Sequence, residues 1–459
     1  MINPKSMLLR ARYAAAWALT ALLGGTGCNG ANTGPHTPDV IPPADNPLEL
    51  VETLQLGPRL QELVFSTPAM PADGDPDTSI YGSPRVRVLL PSGYEGSSQR
   101  YPVLYLLHGA VGNYKVWVDR LDAEALTADL PLIVVMPDGG PVGLYSDWYN
   151  NGLGGIPMYE TYHIAQLVPW IDAHYRTVAA REGRAIAGLS MGGFGAMSYA
   201  ARHPDLFAAA AAFSGAVDSN VVGQQAVTPE TVWGPRESEE VRWRGSNPVD
   251  LAPNLAGLNL QLRTGNGMPG NGSQSVDPVE MTVHEESTNM HLALNALGYP
   301  HLWDDYGPGG HAHTYWRRDL ELSLPIFMDV FTHPAPAPSQ VRYRSISADY
   351  RVFGWRVTLD RPVLEFSELS AASAAGFTLS GSGGALVTTP AFYKPGMDYC
   401  IDRNYEAGAD SRLIRADPLG QLQIPVPLGS ANLFQQYTPE ADAAGTQVYS
   451  TTVAIAPAP

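Results

Sequence analysis

Between residues 85 and 331, short apolar runs alternate with helix-length segments. This alternation restricts the folds that the chain can adopt more than any other feature of the sequence. Tyr101–Leu107 and Leu132–Met136 are almost wholly apolar, which is typical of strands that are buried on both faces of a sheet. Further strands are predicted at 85–90, 184–189, 206–213, 258–262 and 301–304, and helices at 158–175, 191–202, 279–297 and 313–331. Strands separated by helices predict βαβ units and a mostly parallel sheet with helices on both faces.

One turn within this region has a recognisable chemical pattern. Gly188-Leu189-Ser190-Met191-Gly192 matches G-x-S-x-G, with an apolar strand before it and a helix-forming segment after it. This context is that of a nucleophile elbow, a sharp turn that lifts the serine hydroxyl above the sheet, and its glycines leave room where strand and helix crowd together. We therefore predict an α/β-hydrolase fold with Ser190 as the nucleophile; the alternative is a glycine-rich turn with an inert serine.

A serine hydroxyl needs a base to take its proton, and in this fold the chain order is serine, acid, histidine. His311 follows the last predicted strand and precedes the last predicted helix, where the base belongs, and His313 is the alternative. Spacing alone does not choose the acid. Its candidates after the strand at 258–262 are Asp277, Glu280, Glu285 and Glu286.

Acyl transfer also needs an oxyanion hole, two backbone N–H groups directed at the developing negative oxygen. The fold takes one from the residue after the nucleophile, here Met191, and the other from the loop after an early strand, here Ala110. His108, Asp147 and Trp148 are expected to line the substrate site. For Trp148 the alternative is core packing.

Several separate motifs carry a family resemblance over about residues 60–333. They are Tyr145-Ser146-Asp147-Trp148-Tyr149, Gly188-Leu189-Ser190-Met191, Trp233-Gly234-Pro235, Gly265-Asn266-Gly267 and His311-x-x-x-Tyr315-Trp316. Together they resemble the putative-esterase superfamily, which includes esterase D and the feruloyl and acetylxylan esterases. Within it the sequence is most similar to the actinobacterial mycolyltransferases of the secreted antigen complex. The resemblance implies a serine esterase or acyltransferase.

The resemblance also implies which acid completes the site. Val279-Glu280-Met281-Thr282-Val283 is similar to the L-E-x-x-V pattern that carries the mycolyltransferase acid, so it favours Glu280. Three positions depart from that family: His108 stands where it has Asp, Val111 where it has Arg, and His313 where it has Trp. The first two belong to the family's trehalose site. The resemblance therefore extends to ester chemistry and not to trehalose recognition.

The start of the chain differs from this middle region. A positively charged segment, the apolar stretch Ala14–Leu23 and small residues up to Cys28 predict a signal peptide over residues 1–28. The pattern also resembles a bacterial lipoprotein signal, which makes Cys28 the expected lipidation site, with ordinary cleavage as the alternative. Residues 29–58, rich in Pro, Asn, Gly and Thr, are predicted to be a flexible linker. We expect an exported protein, either tethered to the cell envelope through Cys28 or extracellular.

The end of the chain changes to short strands separated by turns. The Pro-rich stretch 334–339 is predicted to link a catalytic domain at 59–333 to a β-sandwich-like domain at 340–459. One of its strands is predicted from Val352 to Leu359. Trp355 in that run is interpreted as a core residue; the alternative is a sugar-binding platform, with Tyr393 or Tyr399 beside it.

Composition excludes other classes of function. The formal net charge is −17 and no Lys/Arg cluster occurs, so no nucleic-acid partner is expected. His311-x-His313 lacks a third ligand nearby, and no metal or cofactor is expected. The sequence predicts a serine carboxylesterase or acyltransferase that acts through an acyl-enzyme on a small-molecule, glycolipid or polysaccharide ester. The alternatives are mycolyltransferase-like transfer to a sugar hydroxyl and a non-catalytic surface binding protein on the same fold.

Overall fold

The computed structural model describes residues 47–71, 83–221, 230–270 and 275–458. The strands of its largest sheet are Glu49–Gln55 (β1), Leu60–Ser66 (β2), Arg85–Leu89 (β3), Val103–Leu107 (β4), Ile133–Pro137 (β5), Arg184–Leu189 (β6), Ala209–Phe213 (β7), Asn259–Thr264 (β8) and His301–Asp305 (β9). Their spatial order is β1-β2-β3-β5-β4-β6-β7-β8-β9. The pairs from β1 to β5 are antiparallel, and the pairs from β5 across to β9 are parallel. The predicted mostly parallel sheet is confirmed.

Helices pack on both faces of this sheet. The helices of the described chain are Val116–Asp119 (α1), Ala123–Leu126 (α2), Val168–His174 (α3), Met191–Arg202 (α4), Glu230–Trp233 (α5), Arg236–Ser246 (α6), Pro278–Leu297 (α7) and His313–Thr332 (α8). A further short helix, Pro439–Ala444 (α9), lies near the end of the chain. Short 3₁₀ turns lie at Tyr94–Gly96, Asn150–Gly152, Arg181–Gly183 and Ala252–Leu255. A π-helical segment, Thr161–Leu167, leads directly into α3. Pro169 is the second residue of α3 and lacks the N–H that would continue the helical hydrogen bonds from this segment.

The apolar residues of the central strands build two separate cores. Along β4, Val103, Tyr105 and Leu107 join one cluster and Leu104 and Leu106 join the other, because successive side chains of a strand point to opposite faces. The first cluster includes apolar side chains of α4 and α7, and the second those of α1 and α8. A parallel sheet covered by helices on both faces is the α/β-hydrolase arrangement that the sequence predicts.

The C-terminal part forms two further antiparallel sheets, as predicted. Their strands are Val341–Ser345 (β10), Asp349–Val352 (β11), Trp355–Asp360 (β12), Ser367–Ser373 (β13), Gly376–Gly381 (β14), Gly383–Thr388 (β15), Asp398–Tyr405 (β16), Gly408–Arg415 (β17), Gln423–Leu428 (β18) and Tyr449–Pro457 (β19). One sheet has the order β10-β13-β14-β19-β16-β17 and the other β11-β12-β15-β18. Buried residues of both sheets form one apolar cluster.

Two expectations about local structure were wrong. Glu49–Gln55, placed in the predicted linker, is strand β1 and pairs with β2. Its side chains are almost all exposed, so backbone hydrogen bonds hold it to the sheet, and composition does not reveal such bonds. The single strand predicted at Val352–Leu359 is a hairpin, in which Phe353 and Gly354 form a two-residue turn with positive φ at both positions.

Trp355 belongs to the core of the C-terminal sheets. Its side chain is 1% exposed and lies edge-to-face with Phe377 at a ring distance of 5.5 Å. Tyr393 and Tyr399 are also buried. The alternative of a sugar-binding platform at these residues was therefore wrong.

The predicted signal peptide and Cys28 lie outside the described residues, as does the linker prediction over residues 29–46. Within the described part of the chain, no helix has both the length and the apolar character needed to cross a membrane.

We predict that Trp355→Ala lowers the free energy of unfolding by about 3–5 kcal/mol, because it removes a fully buried aromatic side chain and leaves a cavity. Urea denaturation followed by circular dichroism measures the change. Leu386→Ala is the matched control, since Leu386 is 40% exposed on the neighbouring strand, and it should cost less than about 1 kcal/mol. Equal losses in the two variants would show that Trp355 does not support the core.

Candidate active site

Ser190 lies in a strained turn between β6 and α4. Its backbone has φ 55° and ψ −122°, a conformation that residues other than glycine rarely adopt. A Cβ at Gly188 would collide with the backbone of Gly192, and a Cβ at Gly192 would collide with the carbonyl of Leu107. These two glycines are therefore required by the close approach of strand and helix, and the turn has the geometry of the predicted elbow.

The side chains of Ser190, His311 and Glu280 form a continuous hydrogen-bonded chain. Ser190 Oγ lies 2.8 Å from His311 Nε2, and His311 Nδ1 lies 2.9 Å from Glu280 Oε2. Because the carboxylate accepts from Nδ1, the lone pair of Nε2 faces the serine hydroxyl. This is the tautomer that can take a proton from Ser190.

The Glu280 carboxylate is completely buried and is held by groups from neighbouring strands. Its Oε1 accepts from Ser214 Oγ at 2.8 Å, from the Gly265 amide at 2.8 Å and from Thr264 Oγ1 at 3.2 Å. A buried carboxylate is stable only when donors replace the water it has lost. These donors were not predicted from the sequence, although Ser214 and Thr264 stand at the carboxyl ends of β7 and β8, where functional side chains of such sheets collect.

Asp277, another candidate for the acid, bonds to backbone amides and not to the imidazole. Its Oδ1 accepts from the amides of Val279 and Glu280 and caps α7, while Oδ2 accepts from the His311 amide at 2.7 Å. It contacts the backbone of His311 and no bond joins it to the imidazole. Asp277 therefore ties the loop that carries His311 to the helix that carries Glu280.

The remaining candidates lie apart from the Ser190–His311 pair. Glu285 is exposed, and so is His313 at the start of α8. Glu286 is buried, and its Oε2 accepts from the Asp218 amide at 3.4 Å. Burial raises the pKa of Glu286 to about 8, and the nearby charges of Asp218 and Glu285 add to this shift.

The expected oxyanion donors are Ala110, on the loop after β4, and Met191, the first residue of α4. Gly109 packs so closely against the elbow that a Cβ there would lie 2.6 Å from Leu189 Cδ1 and 3.1 Å from Ser190 Cβ. Among the described residues, neither the Ala110 amide nor the Met191 amide has a hydrogen-bond acceptor. Neither amide is therefore committed to another group in the described part of the protein.

His108 does not line the site, which corrects the expectation from the sequence. Its side chain is 0% exposed, with Nδ1 2.8 Å from the Gly109 carbonyl and Nε2 accepting from the Gly139 amide at 2.8 Å. The imidazole fills a closed space between two loops and holds them together. A substrate therefore has no access to it.

Asp147 and Trp148 line a different cavity, which also corrects the expectation. Trp148 is buried, with its indole N–H donating to the Gly143 carbonyl at 3.2 Å. Asp147 accepts from the amide and hydroxyl of Thr161, and burial together with the charge of Glu160 raises its pKa to about 6. The cavity of about 860 Å³ that both residues line has none of the Ser190, His311 and Glu280 side chains in its wall.

Comparisons with known proteins agree with the motifs. A family model described as putative esterase matches residues 78–327. The chain is 37% identical over 293 residues to the esterase Rv1288 of Mycobacterium tuberculosis, a match that covers 60% of this chain and 60% of that protein. It is 30% identical over 284 residues to the diacylglycerol acyltransferase/mycolyltransferase Ag85B of Mycolicibacterium smegmatis, covering 57% of this chain and 86% of the relative. The chain thus spans about 60% of the length of the first of these relatives.

One solved structure, a ferulic acid esterase, is 25% identical, covers 55% of this chain and 94% of its own, and superposes with a TM-score of 0.43. The resemblance seen in the motifs, to esterases and to mycolyltransferases, is confirmed by the family model and the sequence relatives.

The raised pKa of Glu286 should make the stability of the protein depend on pH. In the folded protein the Glu286 carboxyl group keeps its proton up to about pH 8, whereas in the unfolded chain it loses the proton near pH 4.5. The free energy of unfolding therefore falls as pH rises between these two values. We predict that Glu286→Gln removes this dependence and stabilises the protein at pH 8.5 by a few kcal/mol, with little effect at about pH 4.5. Thermal unfolding across this range measures it.

Glu237→Gln, which changes an exposed glutamate of α6, is the control and should follow the parent protein. Parallel loss of stability in the parent and in Glu286→Gln would contradict the raised pKa.

Proposed function

The chain belongs to the putative esterase family, and on that premise we propose that it is a serine carboxylesterase or acyltransferase with Ser190, His311 and Glu280 as its catalytic triad. Esterase or acyltransferase activity follows from the family and from the relatives. One observation carries the finer proposal. Ser190 Oγ lies 2.8 Å from His311 Nε2, while a buried carboxylate holds the opposite ring nitrogen at 2.9 Å.

The first half of the reaction forms an acyl-enzyme. His311 Nε2 takes the proton of Ser190 Oγ as the oxygen attacks the ester carbonyl carbon. Glu280 keeps the imidazole oriented and stabilises its positive charge. The carbonyl oxygen becomes negative and accepts from the amides of Ala110 and Met191, each such donor typically contributing about 3 kcal/mol. The C–O bond to the alcohol then breaks, and His311 Nε2 gives its proton to the leaving oxygen.

The second half repeats these steps with a new nucleophile. His311 takes a proton from water or from an alcohol, whose oxygen attacks the acyl carbon, and Ser190 leaves with the proton that His311 returns. Water gives a carboxylic acid, and an alcohol gives a new ester. The second candidate, transfer to a sugar hydroxyl, is favoured by the 30% identity to a protein named as a diacylglycerol acyltransferase/mycolyltransferase.

The test is hydrolysis of p-nitrophenyl esters from acetate to octanoate by the full chain and its variants. Ser190→Ala should lower kcat by about a thousandfold or more. Glu280→Gln should lower kcat by about 10²–10⁴-fold with KM little changed, since Gln leaves the imidazole in the wrong tautomer. Glu285→Gln, which changes the same chemical group at an exposed position of α7, should stay within about twofold of the parent.

Three outcomes separate the proposals. Turnover that persists in Ser190→Ala would remove Ser190 as the nucleophile. Turnover that appears only when a sugar acceptor is added, and that needs Ser190, favours transfer over hydrolysis. A parent protein inactive in both assays would favour a non-catalytic binding protein on the same fold.

We further propose that the enzyme works outside the cytoplasm, tethered to a membrane through Cys28. Support comes from the charged, apolar and small-residue pattern of residues 1–28. Intact mass of the protein purified from membranes should match a chain that begins with a diacylated Cys28. A chain starting at any other residue, or a soluble unmodified chain, would contradict the tether.

A further inference from the structure

A cavity of about 860 Å³ separates the end of α4 and the α5–α6 segment from strands β10 and β11 of the C-terminal sheets. Its volume lies in the range of small-molecule sites, roughly 300–1,000 Å³. It is the cavity lined by Asp147 and Trp148, and the proposed triad does not contribute to its wall. A ligand in this cavity would therefore lie away from the proposed triad.

The wall of this cavity is positive although the chain as a whole is strongly negative. Arginines outnumber carboxylates among its described lining residues, whereas the whole chain has a formal net charge of −17. The charged residues of the wall are Arg202, Arg242, Arg344, Arg351 and Arg356 against Asp147, Glu160 and Asp349. A cleft lined by one sign of charge raises the local concentration of ligands of the opposite sign.

Two of these arginines lack a carboxylate partner among the described residues. Arg202 pairs with Glu160 at 2.9 Å, Arg242 with Glu239 at 2.8 Å and Arg356 with Asp349 at 2.5 Å. Neither Arg344 nor Arg351 has an ion pair within 4 Å in the part of the chain that is described. The unbalanced charge of the cavity therefore lies on β10 and β11.

Arg344 is only partly satisfied by its surroundings. Nη1 donates to the Asp250 carbonyl at 3.2 Å, and the guanidinium lies 4.1 Å from the centre of the Phe366 ring. Its Nε is buried and has no acceptor among the described residues. A buried donor without an acceptor costs free energy, and the terminal nitrogens of Arg344, which the Asp250 carbonyl satisfies only in part, remain for an anion in the cavity.

The rest of the wall suits a ligand rich in hydroxyl groups. Aromatic residues from both sides border the space, among them the half-buried Tyr149 and the buried Tyr343, and the accessible part of such a ring places apolar surface next to polar groups. Serine residues stand between them, including Ser246 and Ser345. Hydroxyls that both donate and accept can match the hydroxyls of a sugar.

We propose that this cavity is a second binding site, specific for an anionic saccharide whose carboxylate or phosphate pairs with Arg344 and Arg351. Guanidinium groups bind both kinds of anion through paired N–H donors, so the two anions share one recognition chemistry. Binding here is independent of the proposed triad, because Ser190, His311 and Glu280 lie outside the wall.

Isothermal titration calorimetry of the full chain tests this with three probes: trigalacturonic acid, glucose 6-phosphate and neutral maltotriose. At least one anionic probe should bind, more weakly as salt is raised, and maltotriose should not. Binding of only one anionic probe identifies carboxylate or phosphate as the group recognised. Binding of none, or equal binding of maltotriose, would overturn the proposal.

Variants place the binding in the cavity. Arg351→Gln and Arg344→Gln should each lower the affinity for the anionic probe by about tenfold or more. Arg412→Gln, an exposed arginine of β17 outside the cavity, should leave the affinity unchanged. Arg351 is exposed, so its variant tests the site even if Arg344→Gln unfolds. Full affinity in Arg351→Gln would overturn the proposal.

Ser190→Ala separates this proposal from the proposed function. The variant should bind the anionic probe with unchanged affinity while ester turnover is lost. Loss of probe binding in Ser190→Ala would show that the probe occupies the ester site and would overturn the second site.

Discussion

The buried carboxylate of Glu280 connects the chain segments that meet at the candidate active site. It receives hydrogen bonds from the end of β7 through Ser214, from the end of β8 through Thr264 and Gly265, and from His311 after β9. Removing one donor would leave a desolvated charge, which costs more than the bond itself contributes. The position of the imidazole is therefore fixed by the order of three neighbouring strands in the sheet, and not by its own loop alone.

The carboxylates of α7 show that surroundings decide what such a group does. Glu280 has donors on both oxygens and acts as a fixed acceptor, whereas Glu286, also buried, accepts one long bond from the Asp218 amide and has a raised pKa. Glu285 between them is exposed. Asp277, just before the helix, spends both oxygens on backbone amides. Four acidic residues within ten positions thus have four different environments, which is why spacing alone could not choose among them.

Local patterns predicted the parts of the fold that depend on local physics. Strand β6, the elbow and α4 follow from apolar periodicity and glycine positions, and the structure has them within a few residues of the predicted bounds. Features set by distant neighbours were missed. His108 was expected to line the substrate site, but its imidazole is buried and accepts a hydrogen bond from the amide of Gly139, which is 31 residues away in the sequence. β1 carries no burial signal because nearly all of its side chains are exposed and it is held by backbone pairing with β2. Glu280 was favoured through resemblance, since its donors come from strands that the sequence does not show as neighbours.

The C-terminal sheets are attached to the helix that follows the nucleophile. The last carbonyls of a helix have no partner within it, and at the end of α4 the Arg202 carbonyl accepts from Tyr343 Oη at 2.7 Å. Nearby, the Arg344 amide donates to Asn254 Oδ1 at 2.8 Å, and Asn254 Nδ2 donates to the Arg344 carbonyl at 3.0 Å. Since α4 has 12 residues and rises about 1.5 Å per residue, the Tyr343 contact lies about 18 Å from Ser190 along one rigid element. The sheets therefore help to fix α4 at the end opposite the elbow, so their contribution to the candidate active site is positional even though none of their side chains reaches it.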